Sequence, residues 1–231
     1  MTEYASLTPA ELAPYIQHTL IAVGTTREQT IAHAQQCVEH GFDAAMVAGS
    51  WVGLTAEVLA GTGITVASAL DFPTVGVMTS AGKAAEAAEL VRLGARELDI
   101  GVQVGWLRSG DHDAFREDIA GVVRAAGVPV KVMLELPLLT PSERDAAVDL
   151  ACEAGAAYLK NASSGAIEVA SPASIRYLVD RAPAGVLVKA SGGIKSRDQI
   201  VALLEAGAAK VGTSAGVEVV TDSADEDTES Y

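Results

Sequence analysis

A chain of 231 residues, 49% hydrophobic and only 4% aromatic, can bury one large aliphatic core, and α/β barrels of this length form as one domain. Its net charge of −14 repels phosphate backbones and anionic lipid, which argues against nucleic-acid and membrane partners. Two cysteines, Cys37 and Cys152, lie far apart with no Cys-x-x-Cys or His/Cys cluster, so no metal site is expected and both are taken as small core residues of a reduced protein.

In chain order, short β-branched runs at 15–20, 43–48, 64–70, 97–102, 129–135, 156–160, 186–190 and 209–213 predict eight strands. Amphipathic stretches at 27–40, 51–60, 79–93, 113–126, 141–154, 172–181 and 196–206 predict the helices between them. Strands that alternate with helices pair in parallel through right-handed crossovers, and eight such units favour a closed (β/α)₈ TIM barrel over an open doubly wound sheet. A helix end, a glycine and then a strand recur at Gly41, Gly94, Gly155 and Gly207, where a left-handed residue turns the chain back into the barrel. The barrel is expected to span 1–220, followed by a disordered acidic tail, 221–231, with five carboxylates and a terminal Tyr231. No apolar run reaches the ~18 residues of a membrane span and no signal peptide opens the chain, so a cytoplasmic protein is expected.

Reactive groups in such a barrel project from the C-terminal ends of strands. Lys160 ends the sixth strand, Lys189 nearly ends the seventh, and Asp99 lies in the fourth. A lone strand-end lysine is usually a solvated rim residue. Two on neighbouring strands repel as ammonium ions, so each eases deprotonation of the other, and a neutral amine is what attack on a carbonyl requires. A carboxylate in the same barrel could carry protons, directly or through water. Lys131 and Glu135 share a parity in the fifth strand, and Lys131 reads as one half of an ion pair with Glu135 or Asp99. The glycine-rich loops ASGGIKS at 190–196 and VGTSAG at 211–216 follow the last two strands, where barrels often hold phosphate. Gly192, Gly193 and Gly212 would admit backbone amides to an anion, and Ser214 would add donors.

These segments, in order, resemble deoxyribose-phosphate aldolase over roughly Leu12 to Val220: QHTLI (17–21), GTGITV (61–66) before DFP (71–73), ELDIGVQVGWLRSGD (97–111), VKVMLE (130–135), YLKNASSG (158–165), VKASGGIKS (188–196) and KVGTSAGV (210–217). The resemblance implies a class I aldolase that needs no metal or organic cofactor. Lys160 would form the imine, Lys189 would lower its pKa, and Asp99 would work with a bound water in proton transfer. It also implies the reaction, cleavage of 2-deoxy-D-ribose 5-phosphate to D-glyceraldehyde 3-phosphate and acetaldehyde. Substrate or phosphate is then expected at Gly192, Gly193, Gly212, Thr213, Ser214 and Ser163.

The sequence departs from the family pattern around the mouth. Gln17 stands in place of an aspartate, Met46 and Ala48-Gly49 in place of a CVNP-like turn, Asp71 in place of a glycine, Ser164 in place of the glycine after the reactive lysine, and Ala215 in place of a serine. The imine machinery is retained while its surroundings differ. A related lysine-imine enzyme on another, non-phosphorylated aldehyde is therefore the alternative, and a non-catalytic binding barrel ranks last. The oligomeric state stays open, with a homodimer among the candidates, and a terminal tyrosine that reaches the site is one reading of Tyr231.

Overall fold

The computed structural model describes residues 4–221. All eight expected strands form: β1 (Ile16–Leu20), β2 (Ala44–Ala48), β3 (Thr65–Leu70), β4 (Glu97–Gly101), β5 (Val130–Met133), β6 (Tyr158–Lys160), β7 (Leu187–Ser191) and β8 (Lys210–Thr213). Each pairs in parallel with the next, and β8 returns to β1, closing the barrel. The helices are α1 (Pro9–Leu12), α2 (Arg27–His40), α3 (Val52–Val58), α4 (Ser80–Leu93), α5 (Val104–Arg108), α6 (His112–Ala126), α7 (Pro141–Glu153), α8 (Pro172–Arg181), α9 (Arg197–Glu205) and α10 (Gly216–Thr221). The expected (β/α)₈ TIM barrel is the observed fold. Helices α1, α5 and α10 were not anticipated, because segments of four to six residues are too short to show a 3.6-residue period. Thr221 closes α10 rather than opening a tail; the rest of the expected acidic segment, with Tyr231, lies outside the described residues.

The main core lies between sheet and helices. Outward-facing Leu98, Ile100, Val132, Leu159 and Val188 meet helix positions such as Phe115, Ile119 and Val122 of α6, whose spacing of four and three residues keeps them on one stripe. Each such side chain, fully buried, contributes roughly 1.5–3 kcal/mol. The four recurring glycines all take positive φ, at 70° (Gly41), 121° (Gly94), 92° (Gly155) and 102° (Gly207), as the turn into a strand requires. At Gly94 a Cβ would also lie 2.6 Å from that of Ala56.

The helix starts are tied down. Capping boxes at Thr26, Thr140, Ser171 and Ser196 open α2, α7, α8 and α9, and the Thr79 hydroxyl caps α4. All five follow loops at the C-terminal end of the barrel. Cys37 is buried between helix and barrel, with its thiol pushed up to about 12 by burial, and both cysteines are free. No helix among the described residues is long and apolar enough to cross a membrane.

The β3–α4 loop is held by a buried ion cluster. Lys83 on α4 pairs with Asp118 of α6 and lies 3.6 Å from Asp71, and its amine donates to Gly101 O at 3.1 Å. The Asp71 carboxylate accepts the amides of Gly76, Val77 and Met78 at 2.8, 3.1 and 3.0 Å. Asp71 sits at φ 53°, a conformation Asp tolerates better than most residues, so this departure from the family glycine is compensated by its own hydrogen bonds. Lys83→Met would strand the Asp118 and Asp71 charges in the interior. The expected loss is about 3–5 kcal/mol in urea unfolding, with Lys83→Met/Asp118→Leu less destabilised than the single variant.

Candidate active site

Inward positions are set by strand parity and register. Asp99 is registered with Lys131, Lys131 with Tyr158, Met133 with Lys160, and Lys160 with Lys189, so Asp99, Lys131, Lys160 and Lys189 share the inward parity, with Lys160 and Lys189 level with Met133, two residues beyond Lys131. All four are buried. Lys160 Nζ donates to Asp99 Oδ2 at 3.0 Å and Lys189 Nζ donates to the same oxygen at 2.7 Å. The Lys160 amine also lies 3.6 Å from the Met133 sulfur, a weak acceptor that leaves it little committed on that side. Lys131 Nζ lies 3.3 Å from Asp99 Oδ1 and 2.6 Å from Glu97 Oε2, as ion pairs without hydrogen-bond alignment. The three residues singled out for catalysis, Lys160, Lys189 and Asp99, thus share one contact point.

The electrostatics follow from that packing. Burial would raise the Asp99 carboxyl, but the ammonium groups of Lys189, Lys160 and Lys131 outweigh it and hold it well below the usual carboxylate range. Burial is the largest influence on Lys189. Asp99 opposes it, Lys160 and Lys131 add to it, and the amine falls to about 7. Lys131 is raised: burial disfavours its charge, but Asp99 and Glu97 more than compensate.

The expectations for Lys131 and Glu135 need correction in one respect. Lys131 pairs with Asp99 and Glu97, not with Glu135. Strand β5 ends at Met133, and Glu135 turns out of it at φ 52°, which breaks the parity that would have aligned the two side chains. Glu135 instead accepts the Ser163 amide at 2.9 Å, bracing the segment after Lys160. Burial raises its carboxyl, against the pull of Ser163 and Lys160.

The glycine-rich loops also differ in detail from expectation. Gly212 lies within β8 and faces inward, where a Cβ would be 3.0 Å from Lys189 Cε and 3.6 Å from its Nζ; its place is beside the amine, making room for it, rather than in a loop. At Gly192 a Cβ would lie 2.2 Å from Glu168 O and 3.1 Å from Ser164 O, and at Gly193 it would meet Val169 at 3.0 Å, so both glycines let the loops after β6 and β7 approach closely. The Thr213 hydroxyl donates to Ile194 O at 2.6 Å and accepts from Ala215 N at 3.0 Å, joining the loops after β7 and β8. Ser163 is buried and Ser214 half-buried at the same end of the barrel.

Asn161, not singled out from the sequence, links these loops. It donates to Glu168 and to Ser191 O, both at 3.0 Å, and accepts the Ser191 amide at 3.0 Å. Also missed was a polar chain below the lysines through Glu97, Gln17, Asp43 and Lys210. The shared inward parity of Glu97 and Asp99 was the available signal. The opposite wall is apolar: Ala44, Met46 and Ala67 cluster inside β2 and β3, with Ile21 and Ala69 against them. Met46 is therefore part of the lining of the barrel. At the end of that wall opens a cleft of about 280 Å³, walled by Ile21, Ala69, Leu70, Phe72 and Met78, with Glu86 among its lining residues.

No family model matches the chain. Among curated proteins, it is 39% identical over 214 residues to the deoxyribose-phosphate aldolase of Methanothermobacter thermautotrophicus, covering 92% of this chain and 95% of the relative. It is 40% identical over 208 residues to the deoxyribose-phosphate aldolase of Brevibacillus brevis, covering 90% and 94%. Among solved structures, a tetrameric deoxyribose phosphate aldolase from Aeropyrum pernix superposes with a TM-score of 0.85 at 30% identity, over 93% of this chain and 92% of that one. An aldolase named QR15 gives 0.85 at 28% identity, over 92% and 95%.

The lowered Lys189 amine has a measurable consequence for stability. The folded group releases its proton near pH 7 and the unfolded one near 10.5, so in that window the unfolded state binds more protons and stability rises with pH. Urea unfolding between pH 7 and 9.5 is expected to show this rise in the wild type and to lose it in Lys189→Met.

Proposed function

This chain belongs to the deoxyribose-phosphate aldolase family, and we propose that it cleaves 2-deoxy-D-ribose 5-phosphate reversibly to D-glyceraldehyde 3-phosphate and acetaldehyde through a Schiff base on Lys160. The observation that carries the reading is the pair of buried amines on adjacent strands sharing Asp99 Oδ2 at the barrel mouth. The Lys189 amine, lowered to about 7 mainly by burial, can exchange a proton near neutrality beside Lys160, whose nitrogen must be neutral to attack a carbonyl.

In this reading the Lys160 nitrogen adds to the C1 aldehyde of the open-chain sugar, and loss of water leaves a protonated imine. That cation draws electrons from the C2–C3 bond, which breaks. The C3 hydroxyl loses its proton and C3 becomes the aldehyde of glyceraldehyde 3-phosphate. The remaining enamine takes a proton at C2, and hydrolysis of the resulting imine releases acetaldehyde and regenerates the amine. Lys189, which titrates near neutrality, is the proton carrier; Asp99 stays ionised, orients both amines and stabilises the imine cation. The loops after β7 and β8, drawn together through Thr213, hold the 5-phosphate with Gly192, Gly193, Ser214 and Ser163 nearby. Gly212 serves by leaving space for Lys189. The chemistry calls for no metal or organic cofactor. A cytoplasmic location and a homodimer complete the proposal, the latter checked by light scattering.

Borohydride reduction in the presence of acetaldehyde is expected to place a stable adduct on Lys160, located by peptide mass spectrometry. Lys160→Arg is expected to lose the adduct and at least about 10³-fold in retro-aldol rate. Deoxyribose without its phosphate is expected to react with lower kcat/KM. Equal rates with and without phosphate would move the reading to a non-phosphorylated substrate, and no adduct with any of a panel of aldehydes would remove the aldolase reading.

A further inference from the structure

Glu135 uses only half of its carboxylate. It lies two residues beyond Met133, which is level with Lys160, and so stands nearer the barrel mouth than the reactive lysine. Leu134 N donates to Lys160 O at 3.0 Å and Leu136 N donates to Asn161 O at 3.1 Å, so the chain on both sides of Glu135 is tied to β6 and the segment after it. Arg144 of α7 donates to Leu136 O at 2.8 Å and to Leu139 O at 3.1 Å, which pins the turn that follows. Between these ties Glu135 is held at φ 52°, a conformation that a residue with a long side chain rarely adopts. Its backbone is therefore over-determined by its neighbours, as is common where a side chain must be aimed.

Of the two carboxylate oxygens, Oε1 accepts the Ser163 amide at 2.9 Å. Oε2 is buried and has no hydrogen-bond partner among the described residues. Lys160 is near enough to favour the charged form, yet its amine donates to Asp99 and the two residues form no ion pair. A buried oxygen without a partner is costly, so this one suits a group that the protein does not itself supply.

The chemistry of the oxygen narrows that group. A phosphate would set like charges together, and Glu168, held by Asn161 Nδ2, adds a second carboxylate nearby. A hydroxyl is neutral and can donate. A deoxypentose phosphate held as an imine on Lys160 carries two hydroxyls, at C3 and C4. The C3 hydroxyl adjoins the bond that breaks, where Lys189 carries protons. The C4 hydroxyl lies one carbon further along the substrate, as Glu135 lies further along the barrel than Lys160.

Building on the aldolase reading above, we propose that Glu135 is a specificity-determining residue: its open oxygen accepts a hydrogen bond from the C4 hydroxyl, so that the site selects 2-hydroxyaldehydes as the fragment that leaves, or joins, the two-carbon unit on Lys160.

The test runs the reaction in the direction of addition. Acetaldehyde is the donor, and the acceptors are glycolaldehyde and propanal, which differ by a hydroxyl in place of a methyl. The readout is the ratio of kcat/KM for glycolaldehyde to that for propanal, from product mass spectrometry on the full chain. Intrinsic differences between the two aldehydes are the same for every variant and cancel when ratios are compared. Glu135→Gln keeps the shape and an oxygen for the Ser163 amide but replaces the open acceptor with an amide nitrogen; Glu135→Met removes both. The ratio is expected to fall by about tenfold in Glu135→Met and by about threefold or more in Glu135→Gln, as the loss of a hydrogen bond to a charged group would give. An unchanged ratio in the variants that fold, whether both rates drop together or neither does, leaves Glu135 with the bracing of Ser163 alone and overturns the proposal while the aldolase reading stands. Should Glu135→Met fail to fold, the ratio in Glu135→Gln decides. Absence of any product and of any borohydride adduct on Lys160 in the wild type overturns both readings.

Discussion

Asp99 is fully buried with three lysine amines around it, and neither side of that arrangement is tolerable without the other. A carboxylate with no access to water needs the ammonium groups, and the buried amines need the carboxylate. The contact is possible because closure of the barrel brings β4, β5, β6 and β7 side by side in a register that points all four side chains inward. The groups proposed to react are thus among those that fill the barrel, and the burial that lowers the Lys189 amine is part of the folded state's own energy.

The barrel interior is divided. Its β2–β3 wall is small and apolar, with Ala44, Met46 and Ala67, while the lysines and Glu97 and Asp99 of the charged network come from β4 to β8 and Asp43 joins it from just before β2. An aldehyde bound at Lys160 would have charge on the side of β4 to β7 and the small apolar wall of β2 and β3 on the other. Several departures from the family pattern make sense within this division. Gln17 bridges two carboxylates where an aspartate would have added a third, and Asp71 gathers three loop amides and faces Lys83 where a glycine would leave them without it. Ser164 is engaged through its backbone carbonyl, which a glycine would supply equally, and nothing in the structure explains its side chain.

Much of this was legible in the chain. The alternation of strand and helix patterns located all eight strands to within two residues at either end, and a positive-φ glycine leads into seven of them, β2 to β8. That Lys160, Lys189 and Asp99 meet inside the barrel was legible because inward parity and strand position bring their side chains to one region. Glu135 was misread because parity holds only while the chain remains extended, and a left-handed residue two positions beyond Met133 cancels it. Gly212 falls within the expected eighth strand, 209–213, but the space it leaves for a lysine of the neighbouring strand is a contact that no local pattern shows. The chain from Lys131 to Lys210 joins residues up to 167 apart in sequence, and no local pattern encodes it.

The capped helix starts lead to a different kind of consequence. At four of the eight mouth loops a capping box closes one side, and the closed sheet fixes the other. Each of these loops is therefore held between two firm anchors. The loops after β5, β6 and β7 are also tied to one another, through Glu135 and Ser163, through Asn161 and Ser191, and by the close approach at Gly192, so a change in one of the three is transmitted to its neighbours and to the segment that follows Lys160.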